Sequence, residues 1–147
     1  MSVYEQPRQF IQFNQAITFP DANTVLNVAD SGKTILLSAN AVPGTKTITL
    51  PPGVAGLTYR FIMSDLLGPV NTHIIAITGG ATSMEGVMLQ SGTIVSTVDG
   101  GSTSVTFNGG AVAVGAGPGA CITVTCVSTT KWSIFGYGRG TTAFGVA

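Results

Sequence analysis

Catalysis or metal binding needs a nucleophile, a proton shuttle or a ligand set, and this chain offers few groups that could serve. Its one histidine, His73, stands ahead of an Ile-Ile-Ala-Ile run and has no HxH or CxxC companion. Metal sites draw several ligands from His, Cys and carboxylates, so no metal centre is expected. A lone imidazole also needs a second group for acid–base or nucleophilic work, and spacing identifies none. The six carboxylates, Glu5, Asp21, Asp30, Asp65, Glu85 and Asp99, fall mostly at expected turns. Asp30 and Asp99 lie beside turn glycines, where a short acidic side chain caps the local backbone. A glycosidase pair would be visible only as proximity in the fold. The single Trp argues against a carbohydrate site, which usually wants several exposed aromatics.

Cys121 and Cys126 are the only cysteines and stand five apart in CITVTC. In a strand that odd offset puts them on opposite faces, about 16 Å apart, out of disulfide reach. No disulfide framework is expected, and a reducing compartment is acceptable. The glycine runs Gly115-x-Gly117-x-Gly119 and Gly136-x-Gly138-x-Gly140 lack the GxxxxGK[ST] pattern and a strand–loop–helix setting. They read as turns and a flexible tail. No catalytic residue, cofactor or metal is therefore assigned, and the chain reads as a non-enzyme.

The elements around these residues read as strands. Segments 23–29 (NTVLNVA), 33–39 (KTILLSA), 46–50 (KTITL) and 57–64 (LTYRFIMS) are followed by runs at 73–78, 85–90, 93–98, 103–108, 120–127 and 131–135. Turns at Asp30-Ser31-Gly32, Pro43-Gly44, Asp99-Gly100, Asn108-Gly109 and Ser128-Thr129-Thr130 separate them. Thr, Val, Ile and Phe fill the runs, and such residues suit a pleated surface. No window carries a capped helical period. Roughly ten short strands with glycine-rich turns predict an all-β fold: a single jelly-roll-like antiparallel β-sandwich. Residues 23–136 would form this domain. Residues 1–22 read as an extended N-terminal arm, carrying Tyr4, Phe10, Phe13 and Phe19 among glutamines, which docks on a neighbour. Residues 137–147 (YGRGTTAFGVA) read as a glycine-rich tail with Tyr137 and Phe144 as candidate anchors.

Charge narrows the function further. The 147 residues hold six basic and six acidic side chains, for a formal net charge of +0. A domain of this mass exposes roughly 7,000 Å², so each charge serves about 600 Å². Mean hydropathy is +0.45, high for a free-standing domain, while 20 Gly, 20 Thr and 11 Ser are present. Either other subunits cover much of the surface, or hydroxyl and amide groups keep it wet without charge. The scattered Arg8, Lys33, Lys46, Arg60, Lys131 and Arg139 make no basic patch, so no nucleic acid and no membrane is expected as partner. The start of the chain has no apolar core behind a basic stretch, and no secretory leader is expected. The apolar segment 111–124 is short and broken by Gly and Pro, too short to span a bilayer. The low charge favours self-association, and the chain reads as part of an assembly.

Two blocks carry a resemblance. Residues 46–61, KTITLPPGVAGLTYRF, and 120–135, ACITVTCVSTTKWSIF, frame a Thr/Gly-rich middle. With Leu50-Pro51, Gly56 to Phe61 and Trp132 as the matching positions, this pattern resembles viral and phage capsid decoration (cement) or minor capsid proteins with a jelly-roll fold. Related domains of phage tail and fibre proteins look similar. The family pattern often opens the penultimate strand with Gly-Asp, where this chain has Gly119-Ala120. The resemblance implies a structural virion protein on the capsid surface that stabilises the head by bridging major capsid subunits. It implies a homotrimer with the major capsid protein as partner. The alternative is a receptor- or glycan-binding domain of a tail or fibre protein. The expected interface residues are Tyr4, Phe10, Phe13, Phe19 and Phe144.

Overall fold

The computed structural model describes residues 16–18, 22–39, 42–78, 83–91, 93–96, 101–110, 115–141 and 143–147. Twelve strands form among them: β1 (Ala16–Thr18), β2 (Thr24–Val25), β3 (Thr34–Leu37), β4 (Gly44–Thr49), β5 (Thr58–Met63), β6 (Asn71–Ala76), β7 (Ser83–Gln90), β8 (Thr93–Ser96), β9 (Ser104–Asn108), β10 (Cys121–Ser128), β11 (Lys131–Gly138) and β12 (Phe144–Val146). They build a seven-stranded sheet, β1-β3-β5-β10-β11-β7-β8, and a five-stranded sheet, β12-β9-β6-β4-β2. The all-β sandwich expected from alternation is borne out, and no α-helix occurs among the described residues.

The pairing departs from an antiparallel jelly roll. Five of the ten strand pairings are parallel. Strands β1, β3 and β5 run parallel in the large sheet, while β2, β4 and β6 run parallel in the small one. The first half of the chain therefore winds as a coil, crossing from one sheet to the other at every turn. Parallel neighbours need a long crossover, and here a strand of the opposite sheet lies within each crossover. Strands β10 and β9 then add antiparallel to β5 and β6. Strand β11 continues from β10 by a hairpin, and β7 joins it in parallel.

Inward residues of both sheets make one core. Ile35, Phe61, Ile122 and Met88 lie on one buried row of the large sheet, with Tyr59, Val124 and Ile134 on another. Ile48, Ile75 and Val105 face them from the small sheet. Tyr59 and Trp132 pack with ring centroids 6.2 Å apart and tilted planes, a geometry worth about 0.5–1.5 kcal/mol beyond area burial. Leu50-Pro51 ends β4 as the sequence indicates: Leu50 is buried, and proline cannot extend a ladder. Gly86 permits the β7–β11 contact. Its φ is +153°, and a Cβ there would stand 1.9 Å from the Ile134 carbonyl oxygen.

Three expectations change. Segment 23–29 is not one strand: β2 covers two residues, and a 3-10 turn follows at Val28–Asp30. The Asp30 carboxylate causes this by accepting from the Asn27 N–H (3.0 Å) and from Lys33 Nζ (2.8 Å). Residues 16–18, placed in the arm, pair in parallel with β3 as an edge of the large sheet. Residues 137–147 are not a loose tail. Strand β11 runs on to Gly138, and β12 pairs antiparallel with β9.

Candidate functional site: the outer faces of the sandwich

Of the two candidate anchors in the C-terminal stretch, Tyr137 is exposed on β11, whereas Phe144, the one expected interface residue within the described residues, is a core residue. It is 4 % exposed and packs on Phe107 with centroids 5.5 Å apart. The buried amide of Gln90 explains why. Its Oε1 accepts from the Phe144 N–H at 2.7 Å, and its Nε2 donates to the Thr141 carbonyl. One side chain of β7 thus ties the C-terminal strand to the large sheet. Tyr4, Phe10, Phe13 and Phe19 lie outside the described residues.

Among the described residues, several groups that could do chemistry are held by neighbours in the fold. His73 sits in mid β6, 5 % exposed, with Nε2 donating to the Ser38 carbonyl at 2.9 Å. Cys121 and Cys126 are free thiols on opposite faces of β10, as the odd spacing requires. Burial pushes the Cys126 thiol up. The Lys33 ammonium beside Asp30, with the Asn27 N–H, holds the Asp30 carboxyl below its ordinary 3.8. Glu85 pairs with Lys131 at 2.8 Å. No group of three or more His, Cys, Asp or Glu residues converges among the described residues. A cleft of about 610 Å³ is lined by Gly115, Gly117, Gly140, Ser91, Thr141 and Arg139. Arg139 is the single ionisable side chain among the described residues of that lining.

The outward rows of the sheets carry more information. Register aligns Leu36 with Ile62, Ile62 with Cys121, Cys121 with Tyr137, Tyr137 with Leu89 and Leu89 with Ile94. The first five alternate with buried neighbours on their strands and Ile94 is itself exposed, so the six form one apolar row across the outer face of the large sheet. In the adjacent row Phe135 stands beside Val87. Phe135 is 54 % exposed, Tyr137 48 %, Val87 39 % and Ile94 66 %. Four large apolar side chains thus gather on β11, β7 and β8. Among the described residues the charges near them are Arg60, in the Phe135 row, exposed Arg139 just past the end of β11, and the Glu85–Lys131 pair, which neutralises itself.

The outer face of the small sheet differs. Its rows read Thr45–Thr72–Asn108, Thr47–Ile74–Thr106–Gly145 and Val25–Thr49–Ala76–Ser104. None of these residues is charged, seven of the eleven carry a hydroxyl or amide, and the one strongly exposed large apolar side chain is Val25, at the sheet edge. Sequence reading missed the apolar patch although the pattern was present in KWSIFGYG. Trp132 and Ile134 share the buried face, so Phe135 and Tyr137 must share the other.

No helix among the described residues is long and apolar enough to cross a membrane. No family model matches the chain, and no curated protein matches it.

Proposed function

We propose that this chain is a structural virion protein, a capsid decoration or minor capsid component that joins neighbouring major capsid subunits as a homotrimer on the capsid surface. The observation that carries the reading is the apolar outer face around Phe135, Tyr137, Val87 and Ile94 on a chain of only twelve charges. A contiguous exposed apolar patch marks an interaction surface. The residue blocks behind the resemblance support the same reading: they form β4–β5 and β10–β11, which hold the core. The role needs no catalytic group. Three modest footprints joined in one trimer bind a lattice far more tightly than one, because the second and third contacts form at high effective concentration.

Co-sedimentation with empty capsids tests this. The expected result is saturable, salt-tolerant binding in a fixed ratio to the major capsid protein, since a chain with twelve charges offers few ion pairs to screen. Binding to a glycan array with no capsid association would overturn it in favour of a receptor- or glycan-binding domain of a tail or fibre protein.

A further inference from the structure

We propose that the apolar end of the large sheet's outer face, centred on Phe135 and Tyr137, is the surface through which copies of this chain join one another. The inference rests on the oligomeric part of the preceding reading and not on the virion part.

Three features favour a second copy as the occupant. The first is charge. The chain is formally neutral, so copies meet without net repulsion, and a face with so few charges gives little steering toward a charged partner. The second is composition. Tyr and Phe are enriched and charges depleted at the centres of protein interfaces, which matches the rows of Tyr137 and Phe135. The third is area. The whole outer face from β3 to β8, six strands at about 4.8 Å by four rows at about 6.7 Å, offers roughly 700 Å², with the apolar end on β11, β7 and β8 as anchor and the Thr, Ser and Arg60 positions as polar rim. A standard interface takes about 800 Å² from each partner. The exposed members lie toward the β8 edge of the sheet. Three copies turned with that edge to a common axis would bring three Phe135–Tyr137 pairs together, each touching both neighbours. Such closed cyclic assemblies are the common form of soluble homo-oligomers.

Light scattering coupled to gel filtration, on the full chain and on a Phe135→Ser, Tyr137→Ser double variant, tests the surface. Both side chains point outward, so the far-ultraviolet dichroism of the variant should match the parent. The parent is expected to run as an oligomer and the variant as a monomer, with self-affinity down at least about a hundredfold. A parent that is itself monomeric overturns the oligomer and the surface together. An oligomeric variant overturns the surface alone. A second measurement needs no variant. Cys121 lies beside Tyr137 in the same row, while Cys126 is buried on the other face. Alkylation of Cys121 in the parent should slow about tenfold as protein concentration rises through the association range, with Cys126 slow throughout. A Cys121 rate independent of concentration in an oligomeric protein overturns the proposal.

Discussion

Along β4 the outward positions are Thr45, Thr47 and Thr49, whereas along β11 they are Lys131, Ser133, Phe135 and Tyr137. The two sheets share a core and a pleat, and neither outer face carries the usual density of charge. They reach that state by different chemistry. Threonine hydroxyls bond to water while their methyl groups pack sideways on β-branched neighbours, so the small sheet can stay wet without a net field. Phenyl and phenol rings cannot do this. Exposed side by side on β11 with Val87 and Ile94, they leave apolar area that burial against another surface would stabilise by about 1.5–3 kcal/mol per side chain. A low-charge chain can thus be wet on one side and adhesive on the other, and composition alone does not distinguish the two.

The largest expected effect tests how the adhesive face is built. Gly86→Ala sets a Cβ against the Ile134 carbonyl at a backbone angle that suits glycine. It should cost at least about 3 kcal/mol, by separating β7 from β11. Gly145→Ala is its counterpart on the threonine face. There a Cβ meets the movable Asn108 amide at 3.3 Å, and the change should fall within about 0.5 kcal/mol. Urea unfolding of the two variants gives the contrast. Equal losses would mean that β7 is not held by this close approach.

A pH effect follows from the joint between the sheets. The Tyr59 hydroxyl, on β5, donates to the Asn27 carbonyl at 3.0 Å next to β2. Burial, with smaller contributions from the Asp30 and Cys126 charges, pushes it up to about 12 from 10.0. The folded value lies above the unfolded one, so this contribution is complete below pH 10 and is lost as pH rises from there toward 12. The urea midpoint should fall across that window in the parent, and Tyr59→Phe should flatten the fall. An unchanged slope in the variant would assign the alkaline loss to other groups.

Turning the wet face adhesive is a smaller test. Thr45→Val, Thr47→Val and Thr106→Val together replace hydroxyls by methyls of nearly equal size. The fold should survive with a change of about 1 kcal/mol or less, since Val suits strands at least as well as Thr. The protein should gain a new, higher-order association seen by light scattering. Unaltered association would show that the hydroxyls do not keep this face free. The smallest effect concerns Asp30. Its folded value lies below 3.8, so its pairing with Lys33 contributes above that pH and fades as pH falls through the lowered folded value. Asp30→Asn should remove only this shallow acid limb of the stability profile, measured by unfolding between neutral and acid pH.

Strand content was readable because inward and outward residues alternate in KTITL, LTYRFIM and CITVTC. Pairing was not. Parallel partners such as Thr34 and Arg60, or Thr47 and Ile74, are brought together by a crossover through the opposite sheet, and local alternation holds no record of that path. The 137–147 stretch looked like a tail because three glycines interrupt its alternation. Its order comes from the distant Gln90 amide and from Phe107, which sequence proximity does not reveal. The candidate site lay half in view. KWSIFGYG shows two aromatics out of phase with Trp132, but only the β7 and β8 registers place Val87, Leu89 and Ile94 next to them.

Hydroxyl-radical footprinting of the assembled protein against its diluted form reads both faces in one experiment. Phe135 and Tyr137 report the apolar face, and Val25, 66 % exposed at the edge of the threonine sheet, reports the other. If the apolar face is the one that docks, oxidation of Phe135 and Tyr137 drops at least about fivefold on assembly while Val25 is unchanged. Protection of Val25 with Phe135 and Tyr137 still reactive would contradict the account.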